Sequence, residues 1–197
     1  MSDCKNEMIC ALHGTQGKYC DEVFRAGITR NSSGYFLAGG ICDPARLHVT
    51  LVCAVFHAIG LWLLNKAILE KTDLCDGVRA VGGLYLLLFP FDGTEVYEGS
   101  LSHYRYEGVR SYPYGTVGKI GALPAKGVIP IALPDSQMKH KIYADQPQRS
   151  ARFFQKEDGR EQFIDHCDME CLAMICDKTA SLAENAVYKA MRICRER

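Results

Sequence analysis

The chain has 197 residues, of which 48% are hydrophobic and 23% are charged, and its 23 Lys and Arg balance its 23 Asp and Glu. This composition is typical of a globular protein and excludes an intrinsically disordered or collagen-like chain. The length fits one domain, and the lack of a basic surplus argues against nucleic acid as a partner.

Ten cysteines are spread along the chain. The start Met-Ser-Asp-Cys-Lys has neither a basic region nor an apolar core, so we expect no secretory signal peptide. The sequence contains no Cys-x-x-Cys pair, so nothing in it indicates a structural zinc site. We therefore expect reduced, mostly buried thiols in a cytoplasmic protein, with no metal and no cofactor. The spacing of Cys10 and Cys20 also matches half of a twin intermembrane-space motif, whose other half is missing.

The first part of the chain contains one strong helix signal. Residues 1–24 are polar and weakly patterned, so we place the folded domain at 25–197. Tyr35–Ala38 could belong to a helix or to a short strand. Apolar residues recur at helical spacing over 47–70. The uncharged run within this helix is about 14 residues, against about 20 for a membrane span, which favours a core or dimer-interface helix.

The second part predicts strands, an insertion and a final helix. The apolar run 81–93 is typical of a buried central strand, and a second strand around Pro130 belongs at a sheet edge. Between them, the Gly- and Tyr-rich stretch 92–126 is long enough to be a functional lid. Asp-Gly in 151–165 predicts a hairpin, and a periodic apolar stripe predicts a helix over 169–195. The fold expected is a single α/β domain: a mixed central sheet flanked by helices, a β-hairpin lid and a long C-terminal helix.

Three patterns could carry catalysis or bind a metal, and none is strong enough to assign a catalytic residue. His166 and Cys167 are neighbours, but no nucleophile motif surrounds them. His13-Gly14-Thr15 and His48-Val49-Thr50 match the His-x-Thr motif of two-histidine phosphoesterases, in which one imidazole is the base and the other the acid. The Asp, His and Cys residues of 165–171 could ligate a metal, but a capped helix start explains them better.

Phosphate binding has more support. Gly115-Thr116-Val117-Gly118-Lys119 resembles part of a P-loop, but Ile120 follows the lysine where Ser or Thr is required. In an extended strand Lys139, Lys141 and Tyr143 would project on one face, which suits a phosphate and a base. A solvated basic strand edge explains these residues equally well.

The order of these segments indicates a family. Ser-Ser-Gly-Tyr-Phe is followed by the apolar helix, the strand Leu84–Phe89, a strand over 128–134, Lys141-Ile142-Tyr143, the Asp-Gly hairpin and a helix-initiating Asp. Over residues 31–195 the chain resembles the cyclic-dinucleotide-binding domain of STING-like proteins, in their bacterial or invertebrate form. The resemblance implies a homodimeric sensor of a nucleotide second messenger that acts in innate immunity and antiviral defence.

The resemblance also implies roles for particular residues. An aromatic residue of the first helix, Tyr35 or Phe36, would stack on a base in a V-shaped dimer pocket. Lys141 stands where the family has a lid arginine, and a lysine lacks the bidentate geometry of arginine. Asp165 corresponds to an acidic residue that contacts the base, with Asp168 and Met169 where the family has Thr-Pro. The predicted ligand-binding residues are therefore Tyr35, Phe36, Lys139, Lys141, Tyr143, Asp165 and Asp168.

Two other classes of function remain open. One is a structural subunit of a larger complex, including a membrane-associated one, motivated by the 47–70 helix and the unusual cysteine and tyrosine content. The other is an enzyme, either Cys-dependent or a two-histidine phosphoesterase. A binding module is favoured over an enzyme.

Overall fold

A computed structural model of the chain describes residues 9–27, 39–42, 44–45, 47–60, 74–91, 97–100, 116–119, 126–138 and 169–196. The elements are, in chain order, β1 (Ile9–Gln16), α1 (Gly17–Ala26), β2 (Gly39–Ile41), α2 (Leu47–Ile59), α3 (Leu74–Ala80), β3 (Leu84–Phe91), β4 (Tyr97–Ser100), β5 (Thr116–Lys119), β6 (Ile129–Ala132), a 3-10 turn (Asp135–Met138) and α4 (Met169–Arg195). Helices are interspersed with strands, which confirms the α/β class and the long C-terminal helix. The predicted hairpin at 151–165 lies outside the described residues.

Four strands form one sheet in the order β2-β1-β3-β6. Its centre is the β1–β3 pair, which runs from Ile9 opposite Phe91 to Gln16 opposite Leu84. Every pairing among the described strands is antiparallel, so the prediction of a mixed sheet is wrong for this part of the chain. The continuous apolar run of β3 arises because helices cover both faces of the sheet, and parallel pairing is not needed to explain it.

The two faces of the sheet pack against different helices. Leu12 and Leu86 belong to the larger core, which α2 and α4 complete. Ala11 and Leu87 belong to a smaller core with α1. Because successive side chains of a strand point to opposite faces, β1 and β3 serve both cores. Each fully buried leucine contributes about 1.5–3 kcal/mol to the free energy of unfolding.

Strand β1 lies within residues 1–24, the segment whose sequence is polar and weakly patterned. Ala11 and Leu12 are fully buried there, and their neighbours in the strand include His13, Thr15 and Gln16. Thr15 and Gln16 are buried although they are polar. These polar residues hide the strand pattern, and the structure pairs residues 9–16 at the centre of the sheet.

Helix α2 is shorter than the predicted helix over 47–70. It ends at Ile59 because Gly60 takes a φ of 71°, and the Gly60 N–H donates to the Phe56 carbonyl at 3.2 Å. Nine of its residues are buried, which makes α2 a core helix between the sheet and α4. Residues 61–70 lie outside the described part. Of the helices the structure describes, none has the length and apolar character that crossing a membrane requires.

Strand β6 is at the edge of the described sheet, as Pro130 predicts. Pro130 lies opposite Leu87 and is exposed, while Ile129 and Ile131 pack against the larger core. A proline has no N–H to donate, so an edge strand tolerates it where a central strand would lose a hydrogen bond.

Helix α4 spans Met169–Arg195, which confirms the predicted bounds. Its apolar stripe packs against α2 and the sheet. The buried residues of this stripe are Ile175, Cys176, Thr179, Ala180, Ala183, Val187, Ala190, Met191 and Cys194.

Seven cysteines of the described part are buried, as expected, and they are present as thiols. Cys10 belongs to the larger core and Cys20 to the smaller one, so they lie on opposite faces of the sheet. The spacing between them therefore does not reflect a pairing of their thiols.

Candidate functional site

All seven ligand-binding residues predicted from the sequence lie outside the described part of the structure. They are Tyr35, Phe36, Lys139, Lys141, Tyr143, Asp165 and Asp168. His166 and Cys167 lie outside it as well. The candidate sites below therefore come from residues that the structure does describe.

The tyrosine-rich insertion 92–126 contains a two-stranded antiparallel ribbon, β4–β5, in which Tyr97 lies opposite Lys119. Strand β5 packs against the edge strand β2. The P-loop-like string ends in this strand, over Thr116–Lys119. A P-loop needs a glycine-rich turn that leads into a helix, so the structure agrees with the exclusion of a nucleotide-hydrolase loop here.

Strand β1 runs directly into the N-terminus of α1, and a helix N-terminus often binds phosphate. Here the first amides of the helix are already occupied. Gly17 N–H donates to the Gly83 carbonyl at 2.8 Å, and Lys18 N–H donates to the Val81 carbonyl at 3.0 Å. This helix start therefore stabilises the fold and offers few amides to an anion.

The end of β1 and the last turn of α2 are held close together. A Cβ on Gly14 would overlap the carbonyl oxygen of Ala54, so only glycine allows this approach of helix to strand. Beyond it, Gln16 Nε2 donates to the Ile59 carbonyl at 3.4 Å. His13 follows Leu12 in β1, and His57 lies one turn after Ala54 in α2.

These contacts bring His13 and His57 within electrostatic reach of each other. Burial lowers the pKa of His57 to about 4. Burial, and secondly the charge of His57, lower the pKa of His13 to about 4. Both residues keep a minor exposed fraction, and burial largely desolvates the two imidazoles. The Phe56 ring lies edge-on to His57, with centroids 6.0 Å apart.

At neutral pH both imidazoles are uncharged, because their pKa values lie well below 7. A neutral imidazole can accept a proton from a reacting group, and an anion bound beside the pair would favour its protonated form. The arrangement is therefore suited to proton transfer next to an anionic ligand. Within the described residues, no group of three or more His, Cys, Asp or Glu is arranged to hold a metal ion.

The second His-x-Thr motif lies on helix α2 and not on a strand. Residues two apart on a helix point in nearly opposite directions, and accordingly Thr50 is buried while His48 is exposed. His48 Nε2 lies 2.8 Å from Asp177 Oδ1, which ties α2 to α4. His13 is therefore coupled to His57, and His48 is engaged elsewhere.

Sequence reasoning overlooked His57 as a partner of His13. The one local signal was a histidine within an otherwise uncharged apolar helix segment, a position where a polar ring needs an explanation. Its proximity to His13 depends on the packing of α2 on β1, which the local pattern does not contain.

Comparisons with known proteins give no relative for this chain: no family model, no curated protein and no solved structure matches it.

Proposed function

We propose that the protein is a sensor module that binds a cyclic dinucleotide or a related nucleotide as a homodimer. The proposal starts from the resemblance of the chain to STING-like domains. It is supported by the order of α2, β3, β6 and α4, which is the order that the resemblance implies.

The observation that carries the proposal is the packing of the ribbon β4–β5 against β2. Tyr35 and Phe36, the residues proposed to stack on a base, precede β2 in the chain. The two strands of the ribbon are joined by residues 101–115, which contain four of the ten tyrosines. Aromatic rings are general stacking platforms for bases. In this proposal the ribbon is the lid that closes over the ligand.

The remaining contacts follow from charge. Lys139 and Lys141 supply ammonium groups to the phosphodiesters, and Tyr143 supplies a further ring. Asp165 and Asp168 accept hydrogen bonds from the base.

Thermal melting of the full chain with and without cyclic dinucleotides tests the proposal. A ligand at a hundredfold excess over its Kd stabilises the fold by about 2.7 kcal/mol, which raises the Tm by roughly 5–11 °C. Tyr35→Ala and Lys141→Ala should abolish the shift, and Asp165→Asn should reduce it. Arg25→Ala, at an exposed position of α1, is the control for loss of a positive charge and should keep it. A folded wild-type protein that shows no shift with any cyclic dinucleotide would contradict the proposal.

Dimerisation is proposed through α4, whose exposed surface includes four large apolar side chains: Met174, Leu182, Tyr188 and Ile193. Contiguous patches of exposed apolar side chains are typical of subunit contacts, and we propose that these four form such a patch. Leu182→Lys should shift the protein to a monomer in analytical ultracentrifugation. Phe24→Lys, at an exposed position of α1, is the control and should leave the dimer intact. A wild-type protein that sediments as a monomer at all concentrations would exclude the dimer.

A second candidate function is phosphodiester hydrolysis, favoured by the coupling of His13 and His57. One imidazole would take a proton from the attacking water, and the other, protonated beside the anionic substrate, would give a proton to the leaving oxygen. The products are a phosphomonoester and an alcohol. Incubation with cyclic phosphodiesters should then show turnover that His13→Asn and His57→Gln abolish and His48→Asn retains. Unchanged substrate after long incubation with the wild-type protein would exclude this candidate.

A further inference from the structure

Two cysteines lie opposite each other where the β1–β2 ladder ends, Cys10 in β1 and Cys42 directly after β2. In the β1–β2 ladder Ala11 lies opposite Ile41, so the next pair along is Cys10 and Cys42. The Cys42 N–H donates to the Cys10 carbonyl at 2.8 Å, which is one of the two bonds that a hydrogen-bonded antiparallel pair exchanges. Both side chains belong to the same core, with 2% and 5% of their surface exposed, and both are thiols.

We infer that Cys10 and Cys42 form a reversible oxidation site, in which a peroxide converts the two thiols into a cross-strand disulfide. This inference is independent of the proposed ligand and rests on the strand register. The proposed reaction needs both thiols, since neither cysteine could form this disulfide alone.

The strand geometry is close to that of a disulfide. The Cα atoms of a hydrogen-bonded antiparallel pair lie about 5.5 Å apart, inside the usual range of roughly 4.4–6.8 Å for a disulfide. The Cβ atoms must approach by roughly 1–1.5 Å to reach a relaxed bond. Cys42 lies just beyond the last residue of β2, so its backbone can adjust. The strain that remains favours reduction, and the bond is therefore reversible.

Peroxide reaches the pair through local opening of β2. This strand has three residues, lies at the edge of the described sheet and is followed by the exposed residues Pro44 and Ala45. Short edge elements open more easily than the centre of a fold. Cys53 is buried to a similar extent, with 4% of its surface exposed, but it lies on α2 between the sheet and α4. It should therefore react more slowly.

The reaction balances in two steps. The thiolate of Cys42 attacks hydrogen peroxide, taking one oxygen to give a sulfenic acid, and the other oxygen leaves as water after protonation. The Cys10 sulfur then attacks the sulfenic sulfur; the S–S bond forms, the S–O bond breaks and a second water leaves. The two thiols lose two electrons to the peroxide, which is reduced to two molecules of water.

The test is peptide mapping after treatment of the full chain with hydrogen peroxide. The remaining thiols are alkylated and the protein is digested with trypsin without reduction. Cleavage at Lys and Arg places Cys10 in peptide 6–18 and Cys42 in peptide 31–46, each of which contains one cysteine. The expected product is the cross-link of these two peptides, two hydrogens lighter than their sum, which dithiothreitol reverses. Oxidation should also raise the Tm by several degrees, because the bond closes the loop between the strands.

The controls separate a specific bond from general oxidation. Cys42→Ser should abolish both the cross-link and the Tm shift, and Cys53→Ser should retain both. Oxidation of the wild-type protein in urea should give mixed pairings. The inference is overturned if peptides 6–18 and 31–46 remain unlinked in the native protein, or if Cys10 links preferentially to another cysteine.

Discussion

Acidification tests the His13–His57 pair most directly. The pKa of each imidazole is about 4 in the folded protein and about 6.5 in the unfolded chain. Above pH 6.5 both states hold neutral histidines, and the free energy of unfolding has its full value. Below pH 6.5 the unfolded chain binds protons that the folded protein does not. Stability is therefore lost as the pH falls, until the loss levels off below about pH 4.

The expected loss is large. Between pH 7.5 and pH 5 each histidine lowers the free energy of unfolding by about 2 kcal/mol, so the pair lowers it by about 4 kcal/mol. A domain has only about 5–15 kcal/mol in total. The corresponding fall in Tm is roughly 8–16 °C for a chain of this length.

Urea denaturation at pH 7.5, 6.5, 5.5 and 5.0 measures this loss. His13→Asn and His57→Gln should each remove about half of the pH dependence, whatever their stability at pH 7.5. His57→Gln should remove slightly more, because the charge of His57 no longer lowers the pKa of His13. Val49→Ala, at an exposed position of α2 without a titratable group, is the control and should keep the wild-type slope. A wild-type free energy of unfolding that stays flat from pH 7.5 to 5, or unchanged slopes in both site variants, would show that His13 and His57 are not desolvated in the folded protein.

Three further predictions concern stability at pH 7.5, each measured by urea denaturation. Gly14→Ala should destabilise the fold by about 1–3 kcal/mol or more, because the added methyl overlaps the Ala54 carbonyl; a wild-type midpoint would contradict the close approach of α2 to β1. Thr179→Val should be neutral or stabilising, because the buried Thr179 hydroxyl has no hydrogen-bond partner within the described residues; a marked loss would show that this hydroxyl is bonded. Thr50→Val, at a buried threonine without such an orphaned oxygen, should cost about 1 kcal/mol. His48→Ala should lower the free energy of unfolding by at most about 1 kcal/mol, because its contact with Asp177 is exposed to solvent. A larger loss would contradict this prediction.

Several elements could be predicted because their signals are local. The stripe of α4 repeats with helical period, and the structure confirms its bounds. The edge position of β6 follows from Pro130, since a proline cannot complete the ladder of a central strand. The end of α2 was also encoded locally, in Gly60, but the apolar pattern beyond it concealed the stop.

Strand β1 could not be predicted in this way. It lies at the centre of the sheet, yet its second half contains His13, Thr15 and Gln16, and its burial depends on partners far along the chain. The expectation of a mixed sheet failed for a related reason. A strand covered on both faces is apolar throughout, whether its neighbours are parallel or antiparallel.

The α/β class, the long C-terminal helix, the core character of α2, the edge strand and the burial of the thiols in the described part could all be inferred from the sequence. These features depend on composition and on periodicity within one segment. The three-dimensional packing was needed to show that His13 is coupled to His57, that Cys10 lies opposite Cys42 and that the β4–β5 ribbon packs against β2. Each of these pairs joins residues more than thirty positions apart, and which distant residues meet is set by strand register and helix packing, which no local pattern records.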